Sequence, residues 1–228
     1  MAKPDIDKAK IKAAVKRVKR EVYVPVVPDE QIGFVHHNVD CIGCRACEIA
    51  CKDKNGLGPG PRFRRLQYIE GGTYPEVYAY KVNMSCNHCA EPACLPACPT
   101  GAIFKRKKDG IVDIDSTLCI GCRRCEATCP YGAPQFDPSD GLVKKCNMCV
   151  DEIDAGRKPY CVMACMMRVL DIGPIEKIWS GEAIDVMGEK SKAVGANETV
   201  VRKVKNMADP ELTKPSIAFI PHSKGTVK

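Results

Sequence analysis

A chain of 228 residues has room for one ordinary domain or two small ones, and its 45% hydrophobic content is compatible with a folded core, although aromatic residues make up only 6%. Sixteen cysteines exceed what a core of buried thiols would use, so disulfides or metals must account for them. The net charge of +7, from 35 basic and 28 acidic residues, comes without a recognition module or interleaved aromatics, which argues against a nucleic-acid partner.

The first twenty residues carry eight Lys or Arg and no apolar run of the kind a signal peptide needs. Disulfides require an exported chain, so metal is the better account of the cysteines. Residues 5–20 place Ile11, Val15 and Val18 on one helical face, readable as a basic tail or as a helix that docks on a partner. The prolines of Val24-Pro25-Val26-Val27-Pro28 end it in a linker. No stretch approaches the roughly 18 to 20 apolar residues that cross a bilayer, so membrane contact is expected only through another subunit.

The cysteines fall into four motifs of four. Motif I is Cys41, Cys44, Cys47 and Cys51; motif II is Cys86, Cys89, Cys94 and Cys98; motif III is Cys119, Cys122, Cys125 and Cys129; motif IV is Cys146, Cys149, Cys161 and Cys165. Motifs I and III repeat one pattern, Cys-Ile-Gly-Cys-Arg-x-Cys-Glu. Between motifs I and II lie a glycine-rich run, 56–61, which neither follows a clear strand nor opens a helix and so reads as a surface loop, and an alternating strand at 76–83. Residues 102–114 read as a hairpin turning at Asp109-Gly110. Its basic run, Lys105-Arg106-Lys107-Lys108, reads as solvated surface or a docking face. Helices are expected after Cys47 and Cys125, with the fourth cysteine of each motif opening a helix directed away.

Three cysteines at C-x2-C-x2-C let one tight loop wrap three corners of a cubane iron–sulfur cluster, whereas zinc fingers and ribbons pair separated C-x2-C groups. The spacing therefore points to four [4Fe–4S] clusters. In two-cluster ferredoxins the fourth cysteine ligates the other cluster, so motifs act in pairs. Motifs II and III end in Cys-Pro, at Pro99 and Pro130, while Cys51 and Cys165 precede Lys52 and Met166. Pairing like with like gives the sets Cys86, Cys89, Cys94 with Cys129; Cys98 with Cys119, Cys122, Cys125; Cys41, Cys44, Cys47 with Cys165; and Cys51 with Cys146, Cys149, Cys161. Sequential pairing, I with II and III with IV, is the alternative. His88, inside motif II, replaces no cysteine and is expected to pack or hydrogen-bond beside a cluster. Arg45, Lys52, Arg123 and Arg124 flank the motifs and are expected to raise their neighbours' potentials. No nucleophile with its base, and no paired acid and base, is evident.

With the four motifs in this order the chain resembles the iron–sulfur subunit of dimethyl sulfoxide reductase and, more broadly, of the molybdopterin oxidoreductases. The likeness runs from about Gly33 to Pro174 and includes Ser85-Cys86-Asn87-His88-Cys89, Cys129-Pro130-Tyr131-Gly132-Ala133-Pro134-Gln135 and Leu170-Asp171-Ile172-Gly173-Pro174, resuming at Thr213-Lys214-Pro215. The resemblance implies the flanking-pair ligand sets, a molybdopterin catalytic subunit as partner, and an integral membrane anchor that oxidises quinol. Nitrate reductase subunits carry tryptophan where this chain has Cys122, so the resemblance implies four [4Fe–4S] clusters here.

The expected fold is α+β, built of duplicated bacterial-type two-[4Fe–4S] ferredoxin modules, one inserted in the other. Residues 1–30 would form the basic extension and linker, 31–75 with 140–180 the outer module, 76–139 the inserted module, and 181–228 an extension packing on the core or a partner. The expected function is non-catalytic electron transfer, with molybdopterin held only in the partner. A free-standing polyferredoxin and a catalytic iron–sulfur enzyme are the competing classes, and complete sets of four ligands argue against the second. Membrane association through partner subunits is compatible with the cytoplasmic side or with export alongside a signal-bearing partner.

Overall fold

The computed structural model describes residues 26–182, 184–195 and 198–222. The expected N-terminal basic helix lies outside the described residues. Short strands and short helices are mixed along the chain, in keeping with the expected α+β class.

Three segments far apart in sequence build the largest sheet. Strand β1 (Ile32–His37) lies between β8 (Leu170–Pro174), antiparallel to it, and β9 (Ile217–Ile220), parallel to it. Being central and covered on both faces, β1 is buried at all six positions, which is why its sequence shows no polar alternation. Residues 217–220 are therefore part of the core. Strands β2 (Arg65–Thr73) and β3 (Glu76–Met84) form a long hairpin across residues 75 and 76, so the outer and inserted segments share a sheet there. The hairpin expected at 102–114 forms as β4 (Ile103–Lys105) and β5 (Val112–Ile114), and a further one as β6 (Gln135–Asp137) and β7 (Leu142–Lys144).

The helices are α1 (Ala46–Lys54), α2 (Arg124–Thr128), α3 (Val150–Asp154), α4 (Tyr160–Met163) and α5 (Ile175–Trp179). Here the expectation needs correcting. Helices α1 and α2 begin before Cys47 and Cys125, and no fourth cysteine opens a helix: Cys51 lies within α1, Cys129 caps the end of α2, and Cys165 follows α4. The cause is local. Arg45 and Arg123, directly after the second cysteine of motifs I and III, take left-handed conformations (φ 61° and 62°) and start the helix early. In α1, Glu48 lies in the first turn and Lys52 and Lys54 in the last, the charge order that the helix dipole favours. The glycine-rich loop closes behind α1, tied by the Lys52 ammonium to the carbonyls of Gly58 and Pro61 at 2.8 and 3.2 Å.

Candidate metal centres

All four motifs use the same turn. In Cys-Ile-Gly-Cys, Gly43 and Gly121 have φ of 76° and 66°, and in motifs II and IV the equivalent residues, His88 and Met148, adopt φ of 41° and 58°. A left-handed non-glycine residue costs about 1–2 kcal/mol. Both His88 and Met148 are fully buried, so packing holds them there. The sequence shows the repeat of motifs I and III but hides this equivalence, because the third residue is glycine in one pair and not in the other.

The sixteen thiols gather in four groups. Cys41, Cys44, Cys47 and Cys165 line one cavity; Cys86, Cys89, Cys94 and Cys129 line a second; and Cys98, Cys119, Cys122 and Cys125 line a third. Cys51, Cys146, Cys149 and Cys161 form the remaining group, close enough that burial and the charges of Cys146, Cys161 and Cys149 all raise the Cys51 thiol. Each group thus takes three cysteines from one motif and one from its partner motif. In sequence order of their first members we refer to them as the first (Cys41), second (Cys51), third (Cys86) and fourth (Cys98) groups.

The groups stand in a row. Cys47 and Cys51 join the first two along α1, and Cys161 and Cys165 join them again across the end of α4, which packs on α1. Cys146 of the second group lies within electrostatic reach of Cys86 in the third. The third and fourth are joined by Cys125 and Cys129 at the two ends of α2 and by the turn from Cys94 to Cys98. Cys44 and Cys122 are exposed, and they belong to the first and fourth groups; every cysteine of the second is buried.

The residues present fit iron–sulfur clusters. Burial pushes Cys89 and Cys94 up to about 12 and Cys125, Cys146 and Cys149 up to about 11, so iron must displace their protons to bind. Among the described residues no three ligating side chains converge on a single ion. The thiols instead stand round cavities, as a polynuclear group requires. Hydrogen-bond donors face the sulfurs: Asn83 Nδ2–H donates to Cys47 Sγ at 3.1 Å, and the backbone N–H groups of Ala133 and Met148 point to Cys129 and Cys146 at 3.5 and 3.4 Å. The Asn87 amide, on the wall of the third cavity, is buried without a partner among the described residues.

His88 accepts the Val112 N–H at Nδ1 (3.0 Å), and burial, with Lys145 and Lys105 nearby, holds it far below the usual histidine range and neutral. The flanking cations are at or near the surface, where their effect on a cluster is weakest. Arg45 and Arg123 pair with Glu48 and Glu126 at 3.4 and 2.7 Å and are about half exposed, Arg124 is exposed, and Lys52 serves loop carbonyls, so solvent and partners screen all four. The basic run at 105–108 is not simply surface: Lys105 points inward from β4 to the carbonyls of Cys89 and Ala90, both at 3.1 Å, and Arg106 forks onto Asp154 at 2.9 and 2.6 Å. The cations that do lie among the thiols, Arg64 and Lys145, carried no mark in the sequence. Lys105 did: it sits two residues from Ile103 on the inward face of a short strand.

A family profile described as a 4Fe-4S dicluster domain matches residues 77–175. Over 156 residues the sequence is 46% identical to one component of the anaerobic dimethyl sulfoxide reductase of Escherichia coli, covering 65% of this chain and 76% of that one. The protein belongs to the family of iron–sulfur subunits of the molybdopterin oxidoreductases. Other members are similar across different enzymes of the family. The thiosulfate reductase electron transfer subunit of Salmonella typhi is 35% identical over 182 residues, covering 76% of this chain and 93% of that one, and a component of the sulfite dehydrogenase of Allochromatium vinosum is 40% identical over 146, covering 55% and 61%. As in the rest of this family, the chain is a non-catalytic electron-transfer subunit. Among the described residues no helix is long and apolar enough to cross a membrane.

Proposed function

We propose that the chain carries four [4Fe–4S] clusters in series and conducts electrons between a molybdopterin catalytic subunit and an integral membrane anchor that reacts with quinol. The four groups of cysteines are the ligand sets: Cys41, Cys44, Cys47 and Cys165; Cys51, Cys146, Cys149 and Cys161; Cys86, Cys89, Cys94 and Cys129; Cys98, Cys119, Cys122 and Cys125. Motifs I and IV then make an outer ferredoxin module that encloses the module of motifs II and III. The pairing of β1 with β8, which brings the two outer segments together, supports that arrangement.

One observation carries the reading: four groups of thiols lie in a row with an exposed cysteine only in the first and fourth. A carrier that meets donor and acceptor at one surface has no use for a row, whereas a conductor between fixed ends does. Each cluster supplies one-electron redox chemistry at a potential set by its surroundings. The chain's residues hold the clusters at fixed spacing, bury every ligand of the second, and direct N–H groups at sulfur. The complex is membrane-associated through its partners, with the molybdopterin held outside this chain.

Anaerobically purified complex should contain iron and acid-labile sulfide in equal amounts, four of each per ligand set, and should come with a large molybdopterin protein. A folded preparation with zinc and no sulfide overturns the cluster assignment, and a chain that purifies alone with all its clusters favours a diffusible carrier.

A further inference from the structure

Two cations are buried at the junctions between cysteine groups, and neither has a carboxylate partner among the described residues. Arg64, only 2% exposed, donates from Nη1 to Asn83 Oδ1 at 3.0 Å and from Nη2 to Ser85 Oγ at 3.2 Å, with its guanidinium 4.1 Å from the centre of the Phe34 ring. The same Asn83 donates to Cys47 of the first group, and the Arg64 guanidinium lies within electrostatic reach of Cys161, Cys146 and Cys51 of the second. Its Nε has no partner among the described residues. Lys145, 5% exposed, lines the cavity of the third group while its ammonium donates to the carbonyl of Cys146, in the second, at 3.0 Å, and to that of Val112. The Asp113 carboxylate accepts the Ile114 N–H at 2.8 Å, and among the described residues it forms no ion pair with Lys145.

An isolated buried charge costs several kcal/mol, and a protein normally pairs it or leaves it out. Hydrogen bonds to carbonyl and hydroxyl oxygens solvate these two cations without neutralising them. What surrounds each is cysteine: the Asn83 that Arg64 holds donates to Cys47 Sγ, and Lys145 stands on the wall of the third group with the Cys146 carbonyl as an acceptor. A cubane with four thiolates carries net negative charge and supplies the missing counter-charge.

Building on the cluster assignment above, we propose that Arg64 is the internal counter-ion shared by the first and second clusters, and Lys145 the one shared by the second and third, each raising the potentials of the pair it bridges. The fourth cluster has no such cation among the described residues. Buried charge is poorly screened, so these two outweigh the exposed arginines beside the motifs. Both are positioning residues, acting on electron flow through the clusters they adjoin.

The test is a redox titration of the assembled complex, each cluster followed by its paramagnetic signal in the reduced state. Arg64→Gln should lower the midpoints of the first and second clusters and leave the fourth in place, and Lys145→Gln should lower the second and third. Arg64→Lys, which keeps the charge, should stay near the wild type. Four intact clusters whose midpoints do not move in Arg64→Gln and Lys145→Gln, or that all move equally, overturn the proposal. If Arg64→Gln fails to retain its neighbouring clusters, the charge is read from assembly: Arg64→Lys must restore them, and its failure to do so overturns the proposal. Absence of four clusters from the wild-type complex would instead defeat the cluster assignment on which the proposal rests.

Discussion

Cys47 and Cys51 stand one turn apart on α1, yet Cys47 lines the cavity of Cys41, Cys44 and Cys165 while Cys51 turns to Cys146, Cys149 and Cys161. Residues four apart on a helix are about 5–6 Å from each other at Cβ. Helix α1 is therefore a short rigid spacer between two sites, and the spacing does not depend on a loop.

It follows that the two cysteines are separable. Cys47→Ser should impair only the first cluster and Cys51→Ser only the second, each leaving the third and fourth with unchanged reduced-state signals. Iron analysis with electron paramagnetic resonance on the assembled complex checks this. Loss of the same cluster from both variants would show that the groups are not distinct ligand sets.

The turn inside motif III is similarly constrained. Gly121 has φ of 66°, and a Cβ there would stand 2.1 Å from the Gly141 carbonyl oxygen on the β6–β7 turn. Gly121→Ala adds a strained conformation to a backbone clash, for a destabilisation of about 1–3 kcal/mol. The damage should be local to the fourth cluster, read as lost iron and a lowered thermal midpoint, because Cys119 and Cys122 flank the clash. An alanine variant with full iron content and an unshifted midpoint would refute the steric account.

How much of this was legible in the sequence depends on the range of the interaction concerned. The cysteine spacing is local, and it is what brings three thiols of one motif round each site, with the fourth supplied from elsewhere in the chain. The β4–β5 hairpin and strand β3 were likewise visible, from a turn pair and from alternation. The β8–β1–β9 sheet was not: β1 is buried on both faces and its partners lie more than a hundred residues away, so neither alternation nor a turn signals the pairing. Arg64 sits in Arg62-Phe63-Arg64-Arg65, an apparently solvated basic run, and only the path of the chain into β2 turns one of the three inward. The early start of α1 was hidden because it depends on the conformation of Arg45, a residue with no intrinsic preference for φ above zero.

His36 gives the fold a pH dependence in a range where the protein can be handled. It is fully buried on the wall of the first cavity, with Nδ1 and Asn38 Oδ1 2.8 Å apart, and burial lowers its pKa from 6.5 to about 4. The unfolded state takes up the proton first as pH falls, so the stability from neutral His36 is present above about 6.5 and is lost progressively toward 4. That loss amounts to about 2 kcal/mol between pH 7 and pH 5. The wild-type thermal midpoint should drop more over this interval than that of His36→Gln, which keeps a donor for Asn38 and does not titrate. Equal drops in the two proteins would remove His36 as the source.

The two ends of the row make a last prediction, about where electrons enter and leave. Cys44 and Cys122 are exposed, and each follows the exposed isoleucine of its Cys-Ile-Gly-Cys turn, Ile42 at 54% and Ile120 at 50% exposure. Met166 and Met167, directly after Cys165, widen the apolar surface at the first end. A single exposed apolar residue is ordinary, but here the same pattern marks both ends of the row and no interior group. Such a patch is suited to close contact with another subunit, where displacing water shortens the path to the terminal cluster. Burying one isoleucine side chain contributes about 1.5–3 kcal/mol, enough that a charge in its place should weaken docking tenfold or more. Ile42→Glu should therefore impair exchange with one partner and Ile120→Glu with the other, while iron content and cluster midpoints stay close to wild type. Either variant should slow quinol-coupled turnover and spare turnover driven by a dye that reduces the catalytic subunit directly, and the two are told apart because only one of them releases the catalytic subunit on dilution. If both variants hold each partner with wild-type affinity and turn over at full rate, the exposed cysteines are not the points of contact.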